Sequence, residues 1–143
     1  MTEDILTRRT LRQPAEPEAV NAVHEELEQL WDDASFVPDM DRMTFATAII
    51  EAASNVVQHA VPEAQTPVEL GVEINVRQSS LEARISAFGA ESPGELNSDG
   101  TMPDGDAESG RGLALIRALV TTVTFTRQGA TNTWILSKTP LQS

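Results

Sequence analysis

Hydrophobic and polar positions repeat with two different periods along this chain, and the switches between them mark out its elements. Residues 5–12, Ile-Leu-Thr-Arg-Arg-Thr-Leu-Arg, read as a short edge strand that Pro14 and Pro17 terminate. Val20, Val23, Leu27, Leu30 and Trp31 then recur at helical spacing opposite Glu18, Glu25, Glu28 and Asp32, predicting a helix over 17–33. Pro17 suits its first turn. After a connector at 34–37, Pro38 opens a second helix that Val61-Pro62 closes, apolar on almost every side. Asp39 and Asp41 suit the positive end of its dipole. Strict alternation returns over 66–77, with Val68, Leu70, Val72, Ile74 and Val76 on one face and Glu69, Gly71, Glu73, Asn75 and Arg77 on the other. Gln78-Ser79-Ser80 turns the chain into a second strand with Leu81, Ala83, Ile85 and Ala87 inward. The pair predicts an antiparallel hairpin with one wet face.

From Gly89 to Ser109 the pattern dissolves into glycine, proline and acidic residues, a loop long enough to be a lid or binding loop. Leu113 to Val120 read as a third helix, and 121–127 and 131–138 as two strands around a Gln128-Gly129 turn. The order β-α-α-β-β-loop-α-β-β predicts an α+β fold: one domain over 1–143, a two-layer sandwich whose mixed, mostly antiparallel sheet carries helices on one face.

Charge narrows the partners. Ten basic against 22 acidic residues leave a net charge of −12, and no Lys or Arg stands between Gln13 and Asp41. Such a chain has no counterion-release drive toward nucleic acid or anionic lipid. The acidic stretch is either a solvated helix face or a surface for a basic protein. No apolar run reaches membrane-span length, the first residues lack the basic start of a secretory signal, and there is no cysteine. A cytoplasmic protein is the expectation.

The second helix carries the candidate chemistry. Glu51, Asn55 and His59 recur every four residues and share one flank with Thr44, Thr47, Ser54 and Gln58. A carboxamide such as Asn55 can ligate Mg²⁺ beside phosphate oxygens, and a carboxylate such as Glu51 can take a proton from an attacking hydroxyl. His59 is equally a satisfied histidine near a helix end. Gly110-Arg111-Gly112 before the third helix is either a phosphate cradle or flexible punctuation.

Taken in order, Glu51-Ala-Ala-Ser-Asn55-Val-Val-Gln-His59, the hairpin, the loop and Gly110-Arg111-Gly112-Leu113 resemble the Bergerat-type ATPase fold shared by gyrase and histidine kinases. The resemblance is closest to its anti-sigma-factor serine-protein kinases and spans roughly residues 7–138. It implies that Asn55 holds Mg²⁺ through ATP and that Glu51 activates a serine hydroxyl on a partner protein. It further implies that His59, Gly89, Gly110, Arg111, Gly112 and Leu113 line the ATP site. The implied role is bacterial transcription regulation in the stress response, with a sigma factor and a small antagonist protein as partners and a homodimer formed through the sheet. The family pattern D-x-G-x-G, whose Asp reads the adenine amino group, is here Ala87-Phe88-Gly89-Ala90-Glu91. Glu91 and Glu95 lie beyond the strand end and reach the pocket only if the loop folds back.

Four readings therefore stand side by side. One is an active serine kinase with an altered adenine pocket, and another is a nucleotide-independent protein-binding module. The others are a catalytic domain detached from a sensor histidine kinase and a metal hydrolase using Glu51 and His59.

Overall fold

The computed structural model describes residues 4–93 and 114–141. Five strands, β1 (Thr7–Pro14), β2 (Glu69–Val76), β3 (Leu81–Phe88), β4 (Thr122–Gln128) and β5 (Thr131–Lys138), form one sheet in the order β1-β2-β3-β5-β4. Every pairing is antiparallel. Helices α1 (Pro17–Asp33) and α2 (Asp39–His59) cover one face, and residues 114–119 are also helical. The fold is thus the expected open α+β sandwich, with β1 and β4 at its edges. Among the described residues no helix is long and apolar enough to cross a membrane.

The two periods in the sequence become the two layers. Leu70, Val72, Ile74 and Val76 of β2 and Leu81, Ala83 and Ile85 of β3 alternate onto the inner face and are buried. α1 contributes Ala19, Val23, Leu27 and Leu30, and leans on β1 and α2. α2 lies over β3, flanked by β2 and β5, and buries Phe45, Ala48, Ile49, Ala52, Ala53 and Val56. At 100° per residue these positions fall within an arc of about 140°, so α2 buries one broad stripe in the core. Burying a side chain the size of Phe45 or Leu30 contributes roughly 1.5–3 kcal/mol.

Polar groups tie the layers at their margins. The Arg9 Nε donates to Glu26 of α1 at 2.8 Å, and its Nη1 lies 3.7 Å from Asp33. The hydrogen bond to Glu26 is the main reason the Arg9 guanidinium is held above its ordinary pKa. At the other end Asp41 is fully buried, and the Lys138 Nζ of β5 reaches to 3.6 Å from its Oδ1. The same ammonium donates to the Leu119 carbonyl at 3.3 Å, at the end of helical residues 114–119. One lysine therefore joins the start of α2, the last sheet residue of β5 and the third helical segment.

The outer face of the β2–β3 hairpin is drier than alternation predicts. Asn75 is only 2% exposed, held between Arg8, whose Nε donates to its Oδ1 at 2.6 Å, and Glu73, whose Oε2 accepts from its Nδ2 at 3.0 Å. Gly71 is buried beneath the Phe88 ring, and the Arg12 guanidinium stacks on that ring, 3.8 Å from its centroid. Period-two alternation assigns a residue to a face, but it does not say that long arginine and phenylalanine side chains from neighbouring strands fold over it.

Candidate functional site

An open cavity of about 230 Å³ lies where the C-terminal half of α2 meets the end of β3, the start of β5 and helical residues 114–119. α2 supplies Ala52, Asn55 and His59, of which Asn55 and His59 stand four residues apart on one flank. Ala87 and Asn132 stand on the opposite wall, where they are cross-strand partners in the β3–β5 ladder. Ile116 closes a side of the cavity with a fully buried apolar surface.

Glu51 stands one turn before Asn55 on α2. It lines a groove between α1 and α2 with His24, Glu28, Trp31, Thr47 and Ile50. Each step of four residues advances about 40° around a helix, so two steps separate Glu51 from His59 by about 80°. Packing against α1 turns that difference into two separate hollows. A metal bound jointly by Glu51 and His59 therefore has no common hollow to occupy.

The chain leaving β3 is fixed in detail. Gly89 adopts φ 76°, a left-handed conformation that glycine takes without a Cβ penalty, and its N–H donates to the Ala130 carbonyl at 2.9 Å. The Ala90 N–H donates to the same carbonyl, and the Glu91 N–H to the Val61 carbonyl at 2.7 Å. From the sheet, Asn132 Nδ2 donates to the Glu91 carbonyl at 2.8 Å, and Arg127 Nη1 to the Ala90 carbonyl at 3.0 Å. Arg127 also donates to Asn132 Oδ1 at 2.6 Å and lies 3.5 Å from Glu63. An arginine can only donate, so this contact orients the Asn132 carboxamide without ambiguity.

These bonds carry the start of the loop back over the cavity, where Glu91, Ser92 and Pro93 form part of its lining. Gly89 lies at the strand end beside it. Glu95, the remainder of the 89–109 loop, Gly110, Arg111, Gly112 and Leu113 are outside the described residues.

The polar residues of the sheet wall were not singled out by sequence reasoning. Asn132 is 3% exposed, and Arg127 is partly buried beside it. A signal existed: Asn132 keeps step with Trp134 and Leu136 on β5, and Arg127 with Val123 and Phe125 on β4. A polar residue in the apolar phase of a strand requires a partner inside. Trp134 contributes a further anomaly, because its Nε1 is buried without a hydrogen-bond acceptor among the described residues.

The match to family models decides what kind of domain this is: residues 13–138 match the histidine kinase-like ATPase domain. The chain belongs to that family. Solved structures agree in fold. The RsbU and RsbW domains of a Mycobacterium tuberculosis protein superpose with a TM-score of 0.69 at 16% identity, covering 96% of this chain and 33% of that one. The histidine kinase domain of a blue-light activated kinase from Erythrobacter litoralis gives 0.57 at 15% identity, covering 90% of this chain and 61% of that one. The Acinetobacter baumannii histidine kinase AdeS gives 0.51 at 20% identity, with 92% and 68% covered. This chain thus spans a third of the first of these structures and about three fifths of the second. No curated protein matches the sequence.

An ATPase domain of this type implies nucleotide binding in general. The cavity fits that implication unevenly. Asn55 offers a carboxamide oxygen of the kind that ligates a hard cation. Ala87 is buried at the wall and has no group to accept from an adenine amino donor. The described residues therefore do not fit adenine in the way the resemblance requires.

Proposed function

We propose that this domain is a bacterial, cytoplasmic regulator of the anti-sigma-factor type, which binds a sigma factor, a small antagonist protein, or both. Partner binding is its main activity, and ATP-dependent serine phosphorylation is weak or lost. The observation that carries this reading is Ala87, buried in the cavity wall across from Asn55 and without any hydrogen-bonding group. A buried acceptor that meets a ligand donor carries large selectivity, and an alanine carries none.

The α1–α2 groove supports a protein partner. Trp31 and Ile50 give it apolar ground, Glu28 and Glu51 give it acidic sides, and the whole chain is at −12. That arrangement favours encounter with a basic protein surface. A homodimer through the outer face of the sheet belongs to the same reading.

Two measurements test it. Pull-down from a bacterial lysate with the nucleotide-free domain, followed by mass spectrometry, should recover a sigma factor or its antagonist, and recovery of neither overturns the partner assignment. Calorimetric titration with Mg·ATP should give no binding in the micromolar range. Micromolar binding that Asn55→Ala abolishes would show the active-kinase reading to be the correct one.

A further inference from the structure

From Gln13 to Val76 the sequence holds one Lys or Arg, Arg42. Its guanidinium is engaged at the α1–α2 connector, where Nε donates to the Val37 carbonyl at 2.7 Å and Nη2 to the Ser35 carbonyl. The groove between α1 and α2 lies wholly within this acidic stretch. Glu28 and Glu51 line it, and Glu25 and Asp32 are exposed beside it on α1. Among the described residues none of these carboxylates has an ion-pair partner. The floor is apolar, formed by Trp31, Ala46 and Ile50. Met43 and Met40 stand seven and ten residues before Ile50, which on a helix continues the same flank. They are 60% and 56% exposed. Single exposed apolar residues are ordinary, but these extend the floor into a strip, and methionine adapts its shape to what lies on it. From Met40 to Glu51 the strip runs about 16 Å, three turns of helix.

We infer that this strip is the docking site for a basic amphipathic helix of a protein partner. The helix lies between α1 and α2 with its apolar face on Trp31, Met43 and Ile50 and its Lys or Arg residues toward Glu28 and Glu51. A groove walled by two helices takes a third by interdigitation of side chains, whereas a strand needs an open sheet edge, which neither wall supplies. A second copy of this chain would bring the same carboxylates, and an anionic membrane repels them. The inference rests on the reading that the domain works by binding proteins. It adds the surface used and the chemistry of the element bound.

The probe is a synthetic peptide of about 16 residues with leucines on one helical face and lysines on the other. It is titrated by NMR into the isotopically labelled protein, beside a scrambled isomer and an analogue with glutamate for lysine. The basic amphipathic peptide should bind in the micromolar range, weaken with salt and shift amide resonances over residues 24–31 and 40–51. Both control peptides should bind at least about tenfold more weakly, and Met43→Lys, at an exposed position, should weaken the basic peptide as much. Absence of binding at millimolar concentration overturns the inference. So do shifts confined to other residues, or equal affinity for the scrambled isomer or for the folded Met43→Lys variant. If that variant does not fold, the shifts on the wild-type protein decide. A homodimer that Met43→Lys dissolves, or binding to phosphatidylserine–phosphatidylcholine vesicles that it removes, would give the strip another occupant and equally overturn the inference.

These outcomes separate from those of the partner reading. A sigma factor or antagonist recovered equally by the wild type and Met43→Lys removes this surface and leaves the partner assignment standing. A peptide site on the strip with neither protein recovered does the reverse.

Discussion

Replacing Lys138 with methionine tests a buried ion pair that ties the start of α2 to the sheet, from a lysine that also reaches helical residues 114–119. Asp41 is fully buried and the Lys138 side chain is 14% exposed, with 3.6 Å between Nζ and Oδ1. At an effective dielectric of 20, two unit charges at that distance attract by about 4–5 kcal/mol before desolvation is counted. Methionine keeps most of the volume and removes the charge, leaving Asp41 buried without this cation. Breaking such a pair from one side costs about 3–5 kcal/mol. Partial exposure of the lysine and a further interaction of Asp41 place the expectation at the low end, about 3 kcal/mol. For a domain of this size that is a fall in Tm of about 10 °C.

Urea unfolding at neutral pH measures the loss directly, and Lys138→Met with Asp41→Asn closes a double-mutant cycle. The double variant should recover part of the loss, because no uncompensated charge stays buried. A Lys138→Met cost below about 1 kcal/mol would mean that Asp41 is carried by its other interactions, and the assigned link would be wrong. Hydrogen exchange supplies a second readout. Loss of the Lys138 bond to the Leu119 carbonyl should loosen residues 114–119 before the core strands.

Three other substitutions probe separate parts of the argument. A Cβ at Gly71 would stand 2.4 Å from the Phe88 Cε2, so Gly71→Ala should push the ring outward, break its stack on Arg12 and cost about 1–2 kcal/mol in urea unfolding, with Phe88→Leu restoring much of it. Asn132→Ala removes the donor to the Glu91 carbonyl and the acceptor for Arg127, so amide exchange at residues 90 and 91 should accelerate several-fold; unchanged exchange there would show that the backbone bonds alone hold the segment. Arg9→Ala should give a small loss that disappears in high salt, since its ion pairs with Glu26 and Asp33 are exposed to screening.

How far the sequence carried depends on the range of the interaction involved. Helix α1 was legible to the residue, because one apolar stripe, a proline at the first turn and an acidic outer face all agree over Pro17–Asp33. Strand β1 was displaced by two residues: its register is set by pairing Thr7–Pro14 with Val76–Glu69, and a partner so distant in sequence leaves no local mark. Within the site, the spacing of Asn55 and His59 predicted a shared flank, and both line the cavity. Glu51, one turn before Asn55, also lines a groove beside α1, and that second surface depends on how α1 packs.

By itself, then, the sequence determined the elements, their order, the two-layer class and the alanine at position 87, because each depends on periodicity or residue identity along the chain. Tertiary structure decided what surrounds that alanine. The β3–β5 register brings Asn132 beside it, and bonds from Arg127 and Asn132 draw Glu91 back over the cavity. These contacts join residues about forty positions apart, and their geometry exists only once the sheet has closed that distance.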